Sequence, residues 1–429
     1  MLTVYLVLLL AIPSNVVIEP LGSLGRPSML WGLLLFAWWV MARLQAPSYA
    51  VSRVPQPVRT ALGALLIVAL VSYASALLRG QPFDQVSPAS TSMFRLFAWA
   101  GVLLVALEGV RTIRDLTTLV RRMTIIVSLL ALLGMVQFVT GRVLVDFFGS
   151  IPGLEVSWGG VDARGDFTRA VGTATHPLEY AAALSAALPI AIAVLLAKGF
   201  RQDNQQGAWG WWLPVVFISV SSLLAVSRSA IIGFAVAVIG MIHAVPRAYR
   251  LVVVLGGAVI AGGIVVAVPG LFTMLVRLFA ESGTDASTTS RTDGLARAPE
   301  FILTSPWFGA GFGTFLPRYY IFDNQWVLTT VELGILGVLA LAAIFLAAIW
   351  SAFSARKRSR HADVMVLGSA FSTSVLSLGV LFAFFDGLSF PIAAGLFFLV
   401  AGLCGALRTI GEADHSMTSA APFPTTALN

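Results

Sequence analysis

Residues 290–350 read "SRTDGLARAPEFILTSPWFGAGFGTFLPRYYIFDNQWVLTTVELGILGVLALAAIFLAAIW". The first half carries Arg291, Asp293, Arg297 and Glu300, whereas from Gln325 to Trp350 the only charge is Glu332. About 20 apolar residues in helical form cross a hydrocarbon layer of about 30 Å. The second half therefore reads as a transmembrane helix, and the first as a polar segment held at the membrane edge.

The pattern is general in the chain. Of its 429 residues 58% are hydrophobic and 11% charged, where soluble domains carry about 25% charge; the mean hydropathy is +0.89. Apolar runs fall near 2–19, 28–43, 58–78, 93–110, 122–140, 177–197, 209–227, 229–245, 251–270, 325–350, 363–385 and 387–407. Pro13 kinks or splits the first. The short alternating segments of a membrane barrel are absent. The expected fold is all-α: a polytopic membrane protein with about 12 transmembrane helices and a large extracytoplasmic loop between the ninth and tenth. Residues 1–407 form a single transmembrane domain that includes extracytoplasmic loops 141–176 and 271–324, and 408–429 form a disordered cytoplasmic tail. The N-terminus lacks a basic region and a small-residue cleavage site, so it is read as a retained span.

Twenty-seven basic residues give a formal charge of +7, and only Lys198 and Lys357 among them are lysines. Arginines scattered between apolar runs report topology rather than nucleic-acid binding. With a cytoplasmic N-terminus, 16 of the 27 lie inside, clustered around Arg43–Arg59, Arg111–Arg122, Lys198–Arg201, Arg247–Arg250, Arg356–Arg360 and Arg408. The positive-inside rule supports that orientation, with both termini cytoplasmic. The single cysteine, Cys404, lies in an apolar run, which leaves no disulfide framework or cysteine metal site.

External chemistry is then bounded by a short inventory: Arg164, Arg169, Arg228, Arg291, Arg297, Arg318, Asp162, Asp166, Asp293, Asp323, Glu332 and His176. Arg228 in "LLAVSRSAIIGF" interrupts two apolar runs; it either snorkels to lipid headgroups or faces protein, water or an anion. Arginine's rigid fork matches phosphate oxygens bidentately but supplies no base at neutral pH. A base must come from Asp323, His176 or Glu332. Each has a structural reading too: His176 and Asp323 both stand where helix caps stand, and Glu332 must face the bundle interior or a wet cavity. Glu179, about one turn into a span, is costly there and reads as functional. Within the loop, Leu295, Phe301 and Leu303 outline an amphipathic helix at the membrane surface, stopped by Pro306. The glycines of "WFGAGFGTF" match neither a dinucleotide fingerprint nor a phosphate loop, and allow a tight external turn. No metal-ligand spacing is present.

Four elements, "RAVGTATHPLEYAAALSAALPIAIAVLL" from Arg169, "SRSAIIGF" from Ser227, "SRTDGLARAPEFILTSPWFGAGFGTF" from Ser290 and "DNQWVLTTVELGILG" from Asp323, resemble the O-antigen ligase and O-antigen polymerase superfamily of bacterial envelopes. The resemblance covers roughly 169–350. It implies a metal-independent membrane glycosyltransferase of the bacterial inner membrane that needs no cofactor. Its donor would be a polyprenyl-pyrophosphate-linked oligosaccharide, its acceptor a glycan or lipid, and its surroundings membrane lipids, with no nucleic acid. Arg228 and Arg291 match family arginines that hold the donor pyrophosphate. The substrate-binding set is Arg169, Arg228, Arg291 and Glu332; the catalytic candidates are Asp323, with His176 in reserve. Ligase-type members commonly place a histidine before the asparagine that opens the late span; here Asp323 precedes Asn324, which looks more like the polymerase branch. Transfer of a finished glycan to another acceptor is the near alternative. A transporter or flippase is the alternative of another class, although polarity clusters at the outer face and not across the membrane depth.

Overall fold

The computed structural model describes residues 1–45, 54–156, 163–164, 167–200, 208–245, 270–280 and 286–419, with isolated positions between 247 and 266. The expected span at 251–270 falls almost wholly outside them, as do Asp162 and Asp166 and the side chain of Arg164.

Among the described residues, eight helices are long and apolar enough to cross a membrane. They are α2 (Pro27–Gln45), α3 (Pro57–Leu78), α4 (Phe83–Gly109), α5 (Ile113–Thr140), α6 (Pro177–Leu196), α11 (Gln325–Arg358), α12 (Ala362–Leu381) and α13 (Pro391–Ser419). The protein is an all-α polytopic membrane protein. Among the described residues the expected count of twelve is not confirmed, and three expected spans come out short. Residues 2–19 yield only α1 (Leu2–Leu10), because Pro13 supplies no amide hydrogen and the chain beyond it runs extended. Helices α7 (Trp212–Leu224) and α8 (Arg228–Met241) have 13 and 14 residues, roughly 20 Å each. Helices α9 (Leu271–Ala280) and α10 (Ala286–Ile302) complete the set. The last helix runs to Ser419 and so takes in the first part of the segment read as a tail.

Helices α6 and α13 are almost wholly enclosed and α2 is peripheral. Around this centre α4 packs on α2 and α13, α11 on α3, α12 and α13, and α12 on α6 and α8. Aromatic rings fill the middle: Phe345 stacks on Phe397 at 4.0 Å, and Trp99 on Phe398 at 5.4 Å. At one end Glu108 ties three helices together, meeting Arg43 at 2.5 Å and Arg59 at 3.1 Å and accepting from Trp39 Nε1 at 2.8 Å. The opposite end gathers the starts of α2, α6, α8, α11 and α13. There β1 (Val16–Ile18) pairs antiparallel with β2 (Leu154–Val156), joining the N-terminal segment to the 141–176 loop; β3 (Ala163–Arg164) and β4 (Phe167–Thr168) form a second small ladder.

One helix is broken. In α11 Gly334 has φ 69° and ψ −170°, a conformation reserved for glycine. The break removes the bonds that the amides of Ile335 and Leu336 would make to Val331 and Glu332, and the "WFGAGFG" turn supplies substitutes. Ala310 N donates to Val331 O (2.9 Å), Gly311 N to Glu332 O (2.9 Å), Ile335 N to Pro306 O (2.8 Å) and Leu336 N to Trp307 O (3.3 Å). The backbones touch: a Cβ on Gly309 would lie 2.2 Å from Glu332 C, and one on Gly334 would lie 2.3 Å from Trp307 C. The glycine-rich turn is thus a plug for a helix break, not the simple external turn expected from sequence. Residues 335–358, 24 in number, still reach about 36 Å, enough to span by themselves.

Candidate functional site

The end of the plug and the segment that leaves it, from Phe312 to Phe322, build one wall of a cavity. Helix α10 forms as expected, but its buried side is Ala298 with Phe301 and Ile302, against Phe315, Tyr320, Phe322 and Val331. Leu295 and Leu303, expected on its apolar face, are 55% and 76% exposed. The helix ends at Ile302 and not at Pro306; Pro299 lies inside it. Tyr320 Oη donates to Ser290 O at 2.8 Å, which fixes the register of Ser290 and Arg291 against the 320–323 segment.

Asp323 sits beside this contact. Ser290 Oγ approaches Asp323 Oδ2 at 3.5 Å, and the Arg291 guanidinium is close enough to bias it electrostatically. Burial raises the Asp323 carboxyl above its ordinary range, opposed by Arg291 and Ser290. Asp323 is not the helix cap that its position suggested: Asn324 Oδ1 accepts from Trp326 N (3.0 Å) and Val327 N (3.3 Å), leaving the aspartate outside the capping role. Arg291 Nη2 donates to Phe384 O at 3.0 Å and its guanidinium lies over the Phe384 ring. Arg291 is thereby anchored to the turn between α12 and α13.

That turn is the hub of the site. Gln325 N donates to Phe382 O (2.8 Å) and Phe385 O (3.1 Å), and Gln325 Oε1 accepts from Leu388 N at 2.7 Å. Next to it a cavity of about 340 Å³ is lined by Arg95, Trp99, Tyr320, Glu332 and Asp386 among others, together with Phe322 and Gln325, which bracket Asp323 and Asn324 in the chain. Glu332 is 6% exposed and Phe315 N donates to its Oε1 at 3.4 Å, so it faces the cavity as its place in the helix required. Asp386 is pushed up to about 6, first by burial and further by the Asp323 charge, with Ser389 pulling the other way.

Of the candidates only Glu332 is in the cavity lining; Asp323, Arg291 and the remaining ones stand outside it. His176 caps α6: its Nδ1 accepts from Leu178 N at 3.1 Å, and its ring lies 5.7 Å from that of Phe390. A neutral imidazole that accepts at Nδ1 carries its proton on Nε2, which suits donation better than the base role. Arg228 opens α8, which packs on α6 and α12 at the same end. Arg169 is buried, 9% exposed. Arg297 lies over Tyr320 and Arg318 pairs with Asp84. Glu179, read as functional from its depth, is a structural latch. Its Oε2 accepts from Ser14 Oγ (2.9 Å), Thr175 N (2.9 Å) and Thr175 Oγ1 (3.0 Å), and its Oε1 from Ile392 N (2.8 Å).

Sequence reading missed Arg95 and Asp386, which line the cavity. Arg95 interrupts an apolar run just as Arg228 does, and the same cost of a buried charge would have singled it out. Among the described residues no group of three or more His, Cys, Asp or Glu side chains is placed to hold a metal ion.

No curated protein matches the chain. Residues 213–342 match the family model described as O-antigen ligase, a stretch that holds Arg228, Arg291, the plug, Asp323 and the broken half of α11. Over that stretch, less than a third of the chain, the protein is similar to the O-antigen ligase family.

Proposed function

We propose that the protein polymerises polyprenyl-pyrophosphate-linked glycan repeat units on the outward face of the bacterial cytoplasmic membrane, with both termini inside, for surface polysaccharide synthesis. The family match over 213–342 supports O-antigen ligase and polymerase-type activity in general. The observation that carries the finer reading is the position of Asp323. Its carboxyl feels the Arg291 guanidinium, and Phe322 and Gln325, close to it in the chain, line a cavity of aromatic rings, hydroxyls and carboxylates, a lining chemistry that suits sugars.

In this reading Arg228 and Arg291 neutralise the pyrophosphate of the donor. An acceptor hydroxyl gives its proton to Asp323 while its oxygen attacks the anomeric carbon. The bond from that carbon to the pyrophosphate oxygen breaks, and the electron pair leaves with polyprenyl pyrophosphate. A raised carboxyl is a better base than an ordinary aspartate of about 3.9. Positioning and leaving-group stabilisation supply most of the rate, because the donor is already activated. Arg169 and Glu332 bind substrate, and His176 offers Nε2–H as a donor.

The test uses purified protein in lipid nanodiscs with a polyprenyl-pyrophosphate oligosaccharide as the only glycan, without ATP and with a metal chelator. A ladder of longer lipid-linked products, absent in Arg291→Ala, is expected; no ladder with a competent native donor overturns polymerisation. The description of the matching family favours a second reading, transfer of a finished glycan to a different acceptor. It is tested by adding a separate glycolipid and following its increase in mass.

A further inference from the structure

Two arginines unused by that chemistry stand together at the same end of the bundle. Arg26 directly precedes α2, and Arg95 is the thirteenth residue of α4. Both line one small cavity with Ser28, Trp99 and Ser389, and Arg95 also lines the larger one. Each has a fully buried Nε without a hydrogen-bond partner. Among the described residues neither closes an ion pair with a carboxylate. The carboxylates within electrostatic reach are Glu179 for Arg26 and Glu332 for Arg95. Both are engaged elsewhere, Glu179 by Ser14, Thr175 and Ile392 and Glu332 by Phe315.

Two like charges side by side, partly buried and each with a buried Nε donor idle, are costly unless an anion joins them. Guanidinium forks bind phosphate oxygens in pairs, so a pyrophosphate bridging the two satisfies both charge and hydrogen bonding. The larger cavity is lined by Arg95, Glu332 and Asp386 and also by Phe322 and Gln325, which bracket Asp323 and Asn324 in the chain. A glycan attached to an anion at Arg26 and Arg95 would have the ring faces of Trp99 and Tyr320 along its path.

We propose that Arg26 and Arg95 form a second anion subsite that holds the pyrophosphate of the acceptor, whose sugars run along the cavity toward Asp323. The inference rests on the polymerase reading, in which donor and acceptor are both lipid pyrophosphates and two such sites must be filled at once. The same phosphate chemistry belongs to membrane headgroups, so the experiment separates the two sources.

The probe is farnesyl pyrophosphate, titrated calorimetrically into the full chain in nanodiscs of zwitterionic lipid. Two sites per chain are expected in the wild type and one in Arg26→Gln/Arg95→Gln. Arg228→Gln/Arg291→Gln should lose the other. A single wild-type site, or two sites persisting in Arg26→Gln/Arg95→Gln, overturns the proposal. So does complete displacement of the probe from this subsite by phosphatidylglycerol added to the nanodisc, which would assign it to membrane lipid. If Arg26→Gln/Arg95→Gln loses a site but Arg228→Gln/Arg291→Gln does not, the donor assignment fails while the second subsite stands. Loss of a charged hydrogen-bond donor corresponds to about 10- to 100-fold in affinity. Arg95→Gln should therefore raise the KM for acceptor by that factor and leave the KM for donor unchanged. Arg95→Lys, which keeps the charge, serves where the glutamine variant fails to fold; it should recover part of the acceptor affinity, and a wild-type acceptor KM in it would refute paired recognition.

Discussion

Replacing Gly334 by alanine tests the helix break that shapes the cavity. The native backbone at 334, φ 69° and ψ −170°, costs a residue with a Cβ about 1–3 kcal/mol. The new methyl carbon would also lie 2.3 Å from the Trp307 carbonyl carbon and oxygen, and such crowding in a packed interior costs about 1–3 kcal/mol. The total, about 2–6 kcal/mol, resembles the worth of the four hydrogen bonds between plug and helix at about 1 kcal/mol each. Moving the plug away is thus no cheaper than tolerating the clash. Either outcome displaces Phe312, Gly313 and Phe315, which line the cavity, so the variant should lose both stability and the product ladder. The assay is equilibrium unfolding in mixed micelles, with the ladder measured on the folded fraction. Gly63→Ala is the control: it lies inside α3, and a Cβ there meets nothing within 4 Å, so it should gain about 0.5–1 kcal/mol. A Gly334→Ala protein within 1 kcal/mol of wild type that still makes the ladder would refute the plug.

Asn324→Ala removes the cap of α11 and should cost about 1 kcal/mol of unfolding free energy; Asp323→Asn should leave stability within about 0.5 kcal/mol yet abolish transfer. The reverse pattern would exchange the two roles. Because Asp323 is raised by burial, the transfer rate should climb with pH through a value above 3.8, the ordinary value, and a rate flat from acid to neutral would exclude it as base. Asp386 holds its proton up to about 6 in the folded protein against 3.8 unfolded. Between those values the folded state binds more protons, so stability should fall as pH rises from about 4 to about 6, by about 3 kcal/mol in full. Asp386→Asn should flatten that slope, and an unchanged slope in unfolding measurements would place its origin elsewhere. His176→Asn keeps an acceptor at the start of α6 and should fold normally, with turnover reduced far less than in Asp323→Asn.

The membrane spans were readable because twenty apolar residues have few other uses, and the eight long helices fall on segments that the sequence marks. Features that depend on partners distant in the chain were not readable. Three-residue strands such as Val16–Ile18 carry no periodicity and exist only through pairing with Leu154–Val156. Gly334 sits in a run that looks uninterrupted, and its break is intelligible only beside the Gly309 backbone. Arg291, Asp323 and Glu332 were singled out by their charge; Arg291 and Asp323 lie within electrostatic reach of each other, and Glu332 lines the neighbouring cavity. Arg95 has the same signature, but inside a span it was counted as topology. Asp386 lies at a boundary between two apolar runs, where a carboxylate looks like an ordinary turn residue until burial is known.

The Glu179 latch has a consequence for biogenesis. Its ligands come from Ser14, 165 residues earlier, and Ile392, 213 residues later. A chain emerging from the ribosome N-terminus first must insert most of its helices before the last ligand exists. Until α13 enters, Glu179 Oε1 lacks the Ile392 amide, and the half-made bundle carries a carboxylate without its full complement of donors. A product truncated between Glu179 and Ile392 therefore carries the same defect, whereas the finished chain removes it in one closing step.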